Sequence, residues 1–204
     1  MKKNNFWTTV VESLVVVAII VMWLIWLYSI YTESIKLSTT TSNRLQAINI
    51  AREWIEAVTN IRDTNWLKFS SNIRNCWMTK DYDWRCIFLN QPNLFGDWSY
   101  TLYIENNEWK LNKIDNLYPN KFNNEDYRTH FAVYVDDKWF YTQSWWTITR
   151  WTITNNPLFT REIILEKVDN NRYNVESVVM WIDSSRKRYF EVKLDTVLFN
   201  WRRN

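Results

Sequence analysis

Few side chains in this 204-residue sequence could do chemistry, and their spacing narrows the choice further. His130 is the single histidine. Any Ser-His-Asp or Cys-His arrangement would have to be built around it, and a multi-histidine metal site has nothing to draw on. Cys76 and Cys86 do not have CxxC spacing. They read either as a disulfide closing a loop in an oxidising compartment, worth about 2–3 kcal/mol in a chain-entropy treatment, or as two free thiols. Asp81-Tyr82-Asp83-Trp84 could open a calcium loop, but the further carboxylates and the terminal Glu are missing, so it reads as a turn. Neither a Walker loop nor GxGxxG occurs. The chain therefore reads as a non-enzyme without catalytic residues, metal ligands or cofactor.

Glu12 is the remaining candidate, and its neighbourhood says what it could do. Leu14 to Tyr31 is an 18-residue run interrupted only by Ser29. As a helix it spans about 27 Å, close to the hydrocarbon core of a bilayer. Lys2 and Lys3 precede it, which keeps the basic end cytoplasmic and exports the rest. No small-residue A-x-A site follows; the chain continues SIYTESIKLSTTTSNRL, so the segment stays attached. A carboxylate drawn to the centre of a membrane costs roughly 2.5–3.5 kcal/mol. Glu12 thus either faces water at the interface or has a partner.

Composition bears on the residue that precedes this motif. Trp occurs 15 times and Gly once, at Gly96, where a globular chain of this length carries about 14 Gly. Several Trp stand in turn contexts that want φ > 0, which glycine supplies without strain and a bulky residue does not. They are Trp84 in KDYDWRC, Trp98 in FGDWSY, Trp139 after Asp136-Asp137-Lys138, and the pair Trp145-Trp146. Asn, Lys and Ile are abundant, as an A/T-rich genome would produce. The pattern is that of an alternative genetic code, UGA codons for glycine translated as tryptophan; a literally Trp-rich, Gly-poor chain is the other reading. On the first reading glycine is expected at positions 7, 54, 84, 98, 139, 145, 146 and 151, with several of these exposed on turns. True tryptophan is expected at 66, 181 and 201, and Trp23 and Trp26 become a Gly-x-x-Gly step.

With Trp7 read as glycine, a basic leader of residues 1–7 is followed by Thr8-Thr9-Val10-Val11-Glu12 and the apolar helix. This resembles the prepilin-type N-terminal cleavage and methylation motif of type IV pilins and pseudopilins. The resemblance implies that a prepilin peptidase cuts between Trp7 and Thr8, that Thr8 is N-methylated, and that Glu12 is the assembly charge at mature position five. Thr8 departs from the family's usual Phe or Met. AREWIEAVTNIRDTNWLKF and the ending VVMWIDSSRKRYFEVKLDTVLFNWRRN resemble the subgroup of type IV pilus modification proteins and minor pilins. The implied partners are the peptidase, the inner membrane, other pilin subunits through the N-terminal helix, and the pilus assembly platform. The implied location is a single pass through the inner membrane with an extracytoplasmic ectodomain, then an extracellular or periplasmic filament of the type IV pilus or type II secretion kind. A membrane-anchored binding ectodomain that never polymerises is the alternative.

The elements that must carry this motif follow from periodicity. Residues 8–31 form the membrane or filament-core helix, and residues 32–64 its amphipathic continuation. Leu45, Ile48, Ile55, Val58 and Ile61 recur at helical spacing between charged residues. The helix is expected to stop near Asp63. Residues 65–98 form a loop region containing both cysteines, and residues 99–204 an antiparallel β ectodomain. SYTLYIENNEWKLNKI reads as a hairpin about Asn106-Asn107 and HFAVYVDDKWFYTQ as another. TREIILEKV, YNVESVVMWID and RYFEVKLDTVLFNW supply three more period-two runs, the last two joined at Ser184-Ser185-Arg186-Lys187. The fold class is α+β and pilin-like, a long helix packed on a C-terminal antiparallel sheet.

Net charge is +3 and spread through both halves. Arg186, Lys187 and Arg188 sit together, with Arg202 and Arg203 nearby in the sequence, but a nucleic-acid face needs a wider stripe, and solvated turn charges account for the cluster.

Overall fold

In the computed structural model, α1 runs from Phe6 to Lys68. The structure describes residues 6–80, 85–88, 94–105, 108–114, 121, 124–135, 141–143, 159–183 and 188–201. The chain falls into two units, Met1–Asn43 and Arg44–Asn204.

In the first unit every residue from Val10 to Tyr31 is exposed. Among the described residues, this helix is long and apolar enough to cross a membrane. Its hydroxyls bond back to carbonyls of the preceding turn: Ser13 to Val10, Thr32 to Ser29, Thr40 to Lys36 and Thr41 to Leu37. Each hydroxyl thus finds an acceptor on its own helix and needs none from the surroundings.

In the second unit the helix has a buried face. Ala47, Ile50, Ala51, Trp54, Ala57, Val58 and Ile61 are shielded at spacings of three and four. That face keeps Val58 and Ile61 of the expected stripe and departs from it at the other three positions. Leu45 is exposed, and Ile48 and Ile55 are only half-buried. Three alanines explain the shift. They weigh little in an apolar pattern, yet they allow a close approach, so that Ile50, Trp54 and Ile61 reach the sheet.

The helix also outruns its expected end near Asp63. Asn65 is fully buried, and its Nδ2 donates to the carbonyls of Trp77 and Thr79 at 3.2 and 3.1 Å. The indole N–H of Trp66 donates to Asn200 Oδ1 at 3.3 Å. These tertiary bonds hold a last turn that local sequence does not favour. The expected loop region therefore contains that turn, a 3₁₀ turn at Ser70–Asn72, α2 (Ile73–Cys76) and α3 (Arg85–Phe88).

Cys76 and Cys86 are joined, with Cα atoms 5.5 Å apart, and are buried beside Phe69. Cys76→Ser with Cys86→Ser is expected to lower stability by about 2–3 kcal/mol in the oxidised protein. Denaturant melts with and without reductant check this: reductant should erase the difference.

Five antiparallel strands form one sheet in the order β2-β1-β5-β6-β7. They are β1 (Trp98–Glu105), β2 (Glu108–Ile114), β5 (Phe159–Asp169), β6 (Arg172–Asp183) and β7 (Arg188–Phe199). β1 and β2 meet with Glu105 opposite Glu108, the expected hairpin; its turn residues, like those of 184–187, lie outside the described residues. β1 also pairs with β5, from Trp98↔Leu165 to Tyr100↔Ile163. β3 (Tyr134–Val135) and β4 (Tyr141–Thr142) pair separately, so the second expected hairpin is present but very short. Its expected first residue, His130, instead ends a helix, α4 (Glu125–His130). Asn124 caps α4 by accepting from the N–H groups of Asp126 and Tyr127.

One face of the sheet packs on α1 through Tyr100, Leu102, Ile163, Leu165 and Val175. On the other, Tyr127 and Phe131 cover Val178 and Met180. Long helix and antiparallel sheet make the α+β architecture expected from the sequence.

Candidate functional site

The chemistry-bearing residues divide between the head of α1 and the two faces of β5. Trp7 and Thr8 lie in the first turn of α1 by their backbone. Glu12 stands four residues, about one turn, beyond Thr8 and is exposed. The axial separation of Thr8 and Glu12 is about 6 Å. From Val11 to Leu27 the large apolar side chains around the helix are exposed as well, and Trp23 and Trp26 touch edge to face with centroids 5.8 Å apart. A single carboxylate thus precedes a bare apolar cylinder. Lys36 and Glu33, paired at 2.9 Å and both solvent-facing, bring charge back near its far end.

On β5, neighbouring Arg161 and Glu162 point to opposite faces. Glu162 lies under α4 with almost no exposure. Tyr127 Oη donates to its Oε2 at 2.8 Å, Lys121 Nζ to the same oxygen at 2.6 Å, and Ser99 Oγ to its Oε1. Burial first, and the carboxylate beside it second, push the Tyr127 phenol far above its usual range. Tyr127 therefore stays a donor. Tyr127→Phe is expected to cost about 1.5–3 kcal/mol, the worth of a hydrogen bond to a charged group, read from urea melts.

Arg161 faces α1 and is completely buried. Its guanidinium lies 3.7 Å above the centroid of the Trp54 ring, and its Nη1 is 3.8 Å from Glu53 Oε2. Nε, Nη1 and Nη2 all lack a hydrogen bond, as do Trp54 Nε1 and Ser177 Oγ on the same face. Burial drives the guanidinium well below its usual range, opposed by Glu53; burial also raises the Glu53 carboxyl, opposed by Arg161. Among the described residues, three guanidinium nitrogens, an indole N–H and a hydroxyl in the layer between helix and sheet thus have no hydrogen-bond partner.

Gln143 secures the nearby backbone, donating to the carbonyls of Phe131 and Arg161 and accepting from Leu102 N–H. None of these ectodomain residues stands out in the sequence. A run reading TREIILEKV places charge at its ends, and nothing local shows that Arg161 and Glu162 are both covered. For α4 a signal does exist: Asn124 precedes two acidic residues, with Tyr127 and Phe131 one turn apart.

His130 bonds through Nδ1 to the Asp126 carbonyl, and both cysteines are in the disulfide. Among the described residues no cluster of His, Cys, Asp and Glu could hold a metal ion. Asp81-Tyr82-Asp83-Trp84 lies outside the described residues, as do Arg186, Lys187, Arg202 and Arg203.

The tryptophans sort unevenly. Trp66 and Trp181 are buried, and Trp181 stacks on Phe190. Trp201 is exposed, with its ring edge-on to Trp66. Trp98 is 41% exposed where β1 begins, beneath Lys113 Nζ at 3.6 Å. Trp54, expected as a glycine, is wholly buried, with its indole against the Arg161 guanidinium. Trp84, Trp139, Trp145, Trp146 and Trp151 lie outside the described residues. Comparison with protein-family models, with curated proteins and with solved structures finds no match.

Proposed function

We propose that this chain is a filament subunit of the prepilin type, a minor pilin or pseudopilin of a type IV pilus or a related type II secretion-type filament. A prepilin peptidase removes residues 1–7, Thr8 becomes the methylated N-terminus, and the apolar helix passes from the inner membrane into the filament core. The observation that supports this reading is the exposed apolar cylinder of α1 headed by one carboxylate, Glu12, and carried on into an ectodomain helix packed on a sheet. A membrane anchor alone needs no charge at that place, whereas a subunit that must find its register among parallel helices does. In the same reading Trp7 is a UGA-encoded glycine.

Mass spectrometry of the protein from its native host tests both points. The mature chain is expected to begin at N-methyl-Thr8, and peptides should carry glycine at 54 and 98 but tryptophan at 66 and 181. A mature chain that keeps Met1 to Trp7 would make the protein a non-polymerising anchored ectodomain. UGG codons at the turn positions would refute the recoding.

A further inference from the structure

β7 is the last strand of the sheet. It is 12 residues long and pairs with β6 in unbroken register from Arg172↔Phe199 to Asp183↔Arg188. Natural edge strands are usually blunted by shortness, proline, a bulge, charged side chains, or a covering helix or loop. β7 has no proline, no bulge, and its charges from Glu191 to Asp195 all lie on the face away from α1. Among the described residues no strand covers its outer side.

The charge pattern says what fits there. Asp195 lies directly opposite Glu176 across β6 and β7, and like charges so placed repel. Among the described residues Asp195 makes no salt bridge, while Lys193 contacts Glu176 and Glu191. We propose that the outer edge of β7 pairs antiparallel with β7 of a second copy of this chain, centred on Leu194, so that each Asp195 meets the Lys193 of the other copy.

Register selects that centre. A strand pair keeps its faces matched only when α1-facing residues oppose α1-facing residues, which restricts the two-fold centre to a residue rather than a gap between two. Centring on Lys193 would set Lys193 against itself and Glu191 against Asp195. Centring on Leu194 sets Lys193 against Asp195 twice and brings exposed Tyr189 opposite exposed Phe199 at both ends. On the α1 face it matches Leu194 with itself and Phe190 with Leu198. The overlap then runs from Tyr189 to Phe199. This pairing stands on the sheet edge alone and does not depend on filament assembly.

The test uses the full chain in detergent micelles, with the protein molar mass measured by sedimentation across a concentration series. Wild type is expected to dimerise. Lys193→Asp and Asp195→Lys should each weaken the dimer on the order of tenfold or more, since each turns two attractive pairs into repulsive ones. Asp195→Lys also relieves the clash with Glu176, so its folding is protected, and far-UV circular dichroism checks both variants. Mixing the two variants should restore a heterodimer, because the carboxylate introduced at position 193 of one copy then faces the ammonium introduced at position 195 of the other. A monomeric wild type overturns the proposal. So does a dimer that both variants leave unchanged, which would place the contact in the apolar anchor instead.

Discussion

If the chain is the filament subunit proposed above, Glu12→Val is expected to leave it cleaved and membrane-inserted while cutting its incorporation into filaments at least about tenfold. Cutting after Trp7 creates an amine on Thr8, opposite in charge to the Glu12 carboxylate at neutral pH. In a filament, helices pack against one another with axial offsets, and each charge enters an apolar core. An unpaired ion there costs several kcal/mol even after relaxation, and a contacting opposite charge offsets most of it. The Thr8 amine of a neighbouring subunit is the proposed partner, so the pair checks register as each subunit is added. About 1.4 kcal/mol is a factor of ten, which sets the expected loss. Glu12→Gln should behave like Glu12→Val, since it too lacks the charge. Quantitative blotting of sheared filaments beside wild-type subunits measures the effect. Normal incorporation would sink the pairing idea, and failed membrane insertion would move the role of Glu12 to an earlier step.

Arg161→Met is expected to change sign with the residue at position 54. In the chain with Trp54 the guanidinium is buried without a hydrogen bond, and Glu53 is too far for one. Met keeps the aliphatic stem and removes the charge, while Glu53, 28% exposed, can turn to water. Replacing such a charge by an apolar side chain should stabilise by about 1–3 kcal/mol. In the Trp54→Gly background the indole no longer separates helix and sheet, and the guanidinium can drop toward Glu53 and bond it. Removing Arg161 there takes away a charge-assisted hydrogen bond to Glu53, at a cost of about 1.5–3 kcal/mol. Four proteins in urea, melted in parallel, complete the cycle. The same sign in both backgrounds would mean that Arg161 and residue 54 are not coupled in this way.

Sequence patterns reach the elements more surely than their faces. The strands β1, β2, β5, β6 and β7 can be read because their alternation is strong and each hairpin is local. The pairing of β1 with β5 cannot, since it joins segments far apart in the chain and no short-range signal encodes it. The α1 stripe departs in part from where periodicity puts it: Val58 and Ile61 are buried as expected, but Ala47, Ala51 and Ala57 carry the contact while Leu45, more apolar, faces solvent. The end of α1 escapes a local reading because Asn65 and Trp66 are held by bonds to Trp77, Thr79 and Asn200. At the candidate site, Trp7, Thr8 and Glu12 are singled out by a resemblance to the prepilin motif, which is read along the chain. Arg161 and Glu162 are not, because their burial is a property of what the rest of the fold lays over them.

The strand order has a consequence for the minutes of the protein's making. The apolar face of α1 around Ile50 and Trp54 is covered chiefly by β5, β6 and β7, and β7 ends roughly 130 residues after Lys68. At about 5–20 residues per second, synthesis takes roughly 7–26 s to deliver them. Helix–coil exchange runs in about a microsecond and hairpins close within about 10 microseconds, so the nascent chain samples both many times over before its core exists. During that interval the Ala47–Ile61 face and the finished β1–β2 hairpin have only each other, a membrane or a chaperone to rest on. Slowing translation downstream of Ile114 should therefore lower the yield of folded protein, although every codon for the final contacts is unchanged.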